Sequence, residues 1–165
     1  MNQYIKKTVL WIFLLSSSLS SHAQTSDSLV QQFQGSLVAN LNYPQFLLDR
    51  CMATITVVKV EIDAKGKVQS ITLSDSADPT FNMEFIFVVD KLDKAALERL
   101  AQIRRLTSTT LLMPIYFSIA TSKCTSPVID PEKLASLYTF NKEHLRTSTI
   151  ILPTLLKRLY IDSIE

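Results

Sequence analysis

The sequence predicts an α+β domain, with a three-stranded antiparallel sheet in the order two, one, three packed on helices and an extra helical segment at the C-terminus. Three observations predict it. A β-branched run from Ala53 to Asp63 is followed at once by a glycine-bearing turn and a second extended run. A long segment from Asn82 to Leu106 carries apolar residues at helical spacing, and a third extended run follows it from Leu111 to Ala120.

The chain opens with a charged lead containing Lys6 and Lys7, an apolar core from Val9 to Leu15 and a polar, small-residue stretch from Ser16 to Ala23. That layout reads as a secretory signal peptide over residues 1–23, with Ser21 and Ala23 supplying the small side chains that signal peptidase selects and cleavage before Gln24. The apolar core is far shorter than the roughly 18 residues that cross a bilayer, so no membrane anchor is expected after cleavage. The expected location is periplasmic or secreted. Loss of the two leader lysines leaves fifteen Lys and Arg against fifteen Asp and Glu. A nucleic-acid or anionic membrane partner calls for a clustered basic excess, and the run Arg99, Arg104, Arg105 reads instead as the solvated side of a helix. The remaining 140 or so residues suffice for one domain with a core.

Residues 24–42 form an N-terminal helical segment, in which Val30, Phe33, Leu37 and Leu41 share one face and Asp27 or Ser28 serves as N-cap. Pro44 breaks that helix, and Gln45 to Arg50 can form a further turn. The first strand, Ala53 to Asp63, ends in Asp63-Ala64-Lys65-Gly66, where Gly66 can supply the positive φ of a tight hairpin before Val68 to Ser74 resumes an extended pattern. Asp75 to Thr80 is a loop. In the long segment that follows, Phe85, Val89, Leu92, Ala96, Leu100 and Ile103 make a continuous helical stripe, although Phe85 to Val89 also suits a short strand. Phe81, Phe85, Phe87 and Phe117 are read as core rather than as a base-stacking platform. Pro114 lies inside the third run and cannot donate to a ladder, which predicts that this strand forms a sheet edge. After Pro127 and Pro131, the segments Glu132 to Phe140 and Ile150 to Ile161 read as helices of a C-terminal extension covering residues 125–165, with Pro153 in the first turn of the second.

A crossover helix between the hairpin and the third strand sets that strand antiparallel to the first. The start of strand one and the end of strand three then lie together, and these ends carry Cys51 and Cys124, the chain's two cysteines. An oxidising compartment favours a disulfide between them, the alternative being two buried thiols. Their spacing does not suit zinc, and His144 is the single histidine beyond the leader, so neither a metal nor another cofactor is expected.

Several motifs between Tyr43 and Ile119 resemble the C-terminal domain of TonB, the energy-transducing protein of Gram-negative bacteria. They are the pair Tyr43-Pro44, the strand Val58-Lys59-Val60-Glu61-Ile62-Asp63, the turn Ala64-Lys65-Gly66-Lys67-Val68, the strand with Ile71 and Leu73 ending at Ser76, and Met113-Pro114-Ile115-Tyr116-Phe117. The resemblance assigns residues 43–124 to that domain. It implies a protein partner, an outer-membrane receptor or transport component, whose extended segment pairs with the third strand. Leu112, Ile115, Tyr116, Phe117 and Ser118 are the binding residues it implies. The family's membrane helix and proline-rich spacer are missing, as is the glycine before its first strand, where Met52 and Ala53 stand. Ser18 and His22 repeat a spacing of the family's membrane helix but fall in the leader.

Two other function classes stay open on the residues. The family fold without the family's activity requires the third strand to be covered by the C-terminal helices. An enzyme, such as a periplasmic hydrolase, finds little support: His144 is the one imidazole base, Gly35 and Gly66 make no nucleophile elbow or phosphate loop, and Asp75, Asp78 and Asp90 suit turns and caps. A non-enzymatic protein-binding module with no catalytic residues is the expectation.

Overall fold

The computed structural model describes residues 25–120, 124, 128–145 and 148–160. The expected signal peptide, Pro127 and the end of the C-terminal segment at Ile161 lie outside those residues. Helix α1 covers residues 25–40, so Asp27 and Ser28 sit within the helix and not at its cap. It buries Val30, Phe33 and Leu37, and Pro44 then sets the chain extended before the short helix α2, Gln45–Asp49.

Strands β1 (Thr54–Ile62) and β2 (Val68–Leu73) form the expected antiparallel hairpin. Its turn is held by the Asp63 carboxylate, which accepts the Lys65 and Lys67 N–H groups at 2.8 Å each, while Gly66 takes φ 76°. Strand β3 (Thr109–Ala120) returns antiparallel to β1, with Thr54 opposite Phe117 and Ile62 opposite Thr109. The order β2-β1-β3 is therefore as read from the sequence.

Between β2 and β3 lie α3 (Pro79–Val88) and α4 (Lys94–Arg104), joined by a 3₁₀ turn over Val89–Lys91. Phe85 to Val88 is helix and not strand, yet the continuous stripe predicted from Asn82 to Leu106 is broken. Leu92 is extended at ψ 146°, and Asp93 caps α4 by accepting the Ala96 N–H, while its own N–H donates to Ser36 Oγ at 3.0 Å. A capping aspartate in mid-stripe ends one helix and begins another.

The C-terminal extension corrects the sequence reading. Only Pro131–Ala135 is helical (α5); then come the small hairpin β4 (Thr139–Phe140) and β5 (Glu143–His144), followed by β6 (Thr149–Ile151) and β7 (Leu155–Tyr160). Strands β6 and β7 both pair in parallel with β3, so the sheet has five strands and is mixed, not three strands and antiparallel. Leu155, Leu156 and Leu159 suit a helix by propensity, but the unfilled side of β3 decides the outcome, because its main-chain groups need partners.

One face of the sheet packs on the helices. Val58, Val60 and Ile62 of β1 and Leu111, Met113, Ile115, Phe117 and Ile119 of β3 join α1, α3 and α4 in a single core. Tyr43 stacks on Phe117 at 5.4 Å, its hydroxyl bonded to Thr54 Oγ1 and to the Met52 carbonyl, both at 2.7 Å; burial pushes its pKa up to about 12. The other face is covered more thinly, by Phe140 against Val57 and Leu112. Cys51 and Cys124 form a disulfide with Cα atoms 5.3 Å apart, and Val128 is stitched alongside by hydrogen bonds to Cys51 and Ala53.

Two outcomes follow from these contacts. Replacing both cysteines by alanine is expected to lower unfolding stability by about 4 kcal/mol in the chain-entropy account of a loop this long, measurable by urea titration. Three carboxylates sit below their ordinary pKa: Glu61 through the Ser70 hydroxyl and then Lys59, Asp63 through the Lys67 N–H, and Glu98 through the Lys67 ammonium. Because the unfolded chain binds protons more readily than these sites do, stability is full at neutral pH and falls as pH drops through about 4. Asp63→Asn should flatten that decline in urea midpoints measured between pH 7 and pH 3.

Candidate functional site

The side of β3 expected to meet a partner is filled by the chain itself. The bond from Ser74 N–H to the Val57 carbonyl fixes which residues of β1 face β2, and alternation does the rest. Odd-numbered residues of β3 direct their N–H and C=O groups to β1, and even-numbered ones direct them outward. That outward row is taken by β6 and β7: Leu152 N–H donates to the Leu112 carbonyl at 2.7 Å, and Thr110 N–H donates to the Ser148 carbonyl at 2.9 Å. Strand β3 is therefore not an edge.

Pro114 faces this filled side, and its missing N–H falls where the pairing is interrupted. Leu112 lies opposite Ile151 while Ile115 lies opposite Leu155, an offset one residue larger, with Pro153 in the gap. A proline without a donor meets a break without an acceptor, so the residue read as an edge marker marks a bulge instead. Ile115 and Phe117 are fully buried on the helix face, and Leu112 is buried against Phe140 on the other. Tyr116 and Ser118 are half-buried. The five side chains thus divide between two faces of a strand whose outer side is occupied.

Three outer strands remain, β6 and β7 beside β3 and β2 beside β1. Strand β6, Thr-Ile-Ile, carries no charge. Strand β7 carries Lys157 and Arg158, charges of the kind that blunt an edge. Lys157 also fastens β7 to the end of α1, its ammonium donating to the Val38 carbonyl at 3.0 Å, and burial lowers its pKa. Strand β2, Val-Gln-Ser-Ile-Thr-Leu, has neither charge nor proline. The same alternation turns the main-chain groups of Ile71 and Leu73 outward, where no partner meets them among the described residues; the row closes at either end, the Val68 N–H donating to Glu98 Oε1 at 3.3 Å and the Asp75 N–H to the Thr139 carbonyl at 2.9 Å.

Those groups open into a groove of about 910 Å³. Ile71 and Leu73 form its floor, α3 one wall through Phe85 and Ile86, and the β4–β5 turn the other through Asn141 and Lys142. The second wall is clasped to the end of β2 by Asp75, whose carboxylate accepts the N–H groups of Asn141 at 2.9 Å and Lys142 at 2.7 Å. Both turn residues have positive φ, 55° and 63°, which matches the twist of a two-residue hairpin. Beneath the floor's end, the buried hydroxyls of Thr56, Ser74 and Ser76 bond to one another.

Helix α3 is apolar on two sides. Phe81, Phe85 and Val88 face the core, whereas Met83, Ile86 and Phe87 are 59%, 60% and 70% exposed. Phe87, read from the sequence as core, lies on this outer stripe. The signal that could have separated the sides was present: ten residues with one charge cannot all face a core that one helix side fills. Among the described residues, no group of three or more His, Cys, Asp and Glu is placed to hold a metal, and no helix is long and apolar enough to cross a membrane. No family model, no curated protein and no solved structure matches the chain.

If β6 and β7 fill the outer side of β3 as described, deleting residues 149–165 should strip hydrogen-exchange protection from the amides of Leu112, Tyr116 and Ser118. Those of Leu111, Met113 and Ile115, bonded to β1, should keep theirs.

Proposed function

We propose that the protein is an exported, non-enzymatic protein-binding module with a TonB-like fold, and that it meets its partner at the β2 edge and the outer stripe of α3. The observation that carries this reading is the coincidence of an unpaired stretch of sheet edge at Ile71 and Leu73 with three large apolar side chains held out into solvent on the adjoining helix. Full burial of an apolar side chain of this size is worth about 1.5 to 3 kcal/mol, so covering Met83, Ile86 and Phe87 supplies a real drive to associate. The β2-β1-β3 order with intervening helices supports the resemblance at the level of architecture.

The family's mode of binding is a different matter. A receptor segment pairing at Leu112, Ile115, Tyr116, Phe117 and Ser118 has first to displace β6 and β7, including the Lys157 fastening and the buried Leu152 and Leu155. The open groove at β2 asks for no such rearrangement, and on this reading it is the working surface, whether the partner is an outer-membrane receptor, a transport component or another envelope protein.

The test is site-directed photo-crosslinking in cells that export the protein, with the reactive residue at Met83 or Phe87 and, for comparison, at the exposed Leu156 of β7. Adducts to another protein are expected from the two α3 positions and not from Leu156. Adducts confined to Leu156, or none at all, remove the reason to assign binding to this face.

A further inference from the structure

We propose that the β2 groove receives a single extended segment of a partner protein as an added strand, with apolar side chains at alternate positions and a carboxylate where it passes the Asn141–Lys142 turn. This rests on the binding reading above and gives it a mode and a chemistry.

The main chain dictates the shape of the occupant. Ile71 and Leu73 offer alternating donors and acceptors along one line, a pattern that an extended backbone satisfies and a helix does not. The walls dictate how much can enter. An added strand lies about 4.8 Å from β2, between α3 on one face and the β4–β5 turn on the other. A second copy pairing through its own β2 brings a second α3 over the same two strands, and helices about 10 Å across then compete for one space. A lone segment fits between the walls.

The lining dictates the side chains. Residues of the segment turned towards α3 meet Phe85, Ile86 and Val89, and those turned the other way meet Thr139 and Asn141, so apolar and polar positions alternate. Charge adds the last term. Both oxygens of Asp75 are engaged by main-chain N–H groups, whereas no carboxylate pairs with the Lys142 ammonium among the described residues. A carboxylate on the segment complements it.

The probe is a capped heptapeptide alternating valine and threonine with a glutamate at one end, prepared with the glutamate at either terminus, and titrated into the disulfide-bonded protein while backbone amides are followed by NMR. Shifts are expected at Ile71 and Leu73 and at the Ile86 methyls, for one placement of the glutamate more than the other. Methylating alternate peptide nitrogens should weaken binding about tenfold in one phase and little in the other, because only one set faces β2. Lys142→Glu should weaken binding of the glutamate peptide and favour a lysine analogue.

Equal effects of the two methylation phases, no perturbation of the β2 amides at millimolar peptide, or β2 amides already protected by a concentration-dependent dimer would each overturn the proposal. Crosslinks at Phe87 together with untouched β2 amides sink the strand mode and leave the binding reading standing. Absence of both sinks the two together.

Discussion

The two-sided hydrogen-bonding demand of β3 is the constraint from which the rest of the sheet follows. Its twelve residues run through the middle of the molecule with N–H and C=O groups directed alternately to each side. Strand β1 satisfies the odd-numbered set, leaving a second, equally long row that water cannot serve while Ile115, Phe117 and Ile119 remain buried beside it. The chain answers from its own C-terminus. The parallel sense of that answer brings β6 back to the start of β3, with Thr149 opposite Thr110. The Cys51–Cys124 bridge and the bonds to Val128 pin this return at its start, and the β4–β5 hairpin laid over Val57 and Leu112 occupies its middle.

Satisfying β3 internally leaves the opposite margin of the sheet exposed. Strand β2 lies there with an uncharged sequence, between a helix that is apolar on its outer side and a hairpin tip anchored by Asp75. Each feature alone is ordinary. Scattered exposed apolar residues are common, and every open sheet has two edges. Ile86 brings that apolar side to the groove itself, with Met83 and Phe87 beside it on the same helix, and it is this combination on which the proposed binding rests.

How much was legible in the sequence depended on whether a segment's fate was decided locally. The first hairpin was: β-branched residues from Thr54 to Ile62, Asp63 and Gly66 contain all that the turn requires. The order β2-β1-β3 and the disulfide followed from connectivity. The C-terminal strands were not legible in this way, because Leu155 to Tyr160 has a composition that either helix or strand accepts, and the choice is made by an edge forty residues earlier. Thr147 to Ile151 did carry a β-branched signal, next to a Pro153 that suits the first turn of a helix. Pro114 misled for a related reason: a missing donor is tolerated at an edge or at a bulge, and the sequence does not say which. The groove was hidden most deeply, since Ile71, Ile86 and Lys142 meet only after two crossovers, and Phe87 is indistinguishable from Phe85 by residue type.

The split between β6 and β7 also bears on the order in which the molecule can be assembled. A chain made from its N-terminus has β1, β2, the helices and β3 in hand while β6 and β7 are still to come, and Cys124 precedes them too. The bridge can therefore close on a sheet whose outer row is still bare, and the strands that finish it arrive last, in parallel pairing. During that interval the same row of β3 is a ready template for any other extended chain. The one-residue slip at Pro153 gives the late strand two short stretches to dock in turn, β6 and then β7, in place of one long register that must be found at once.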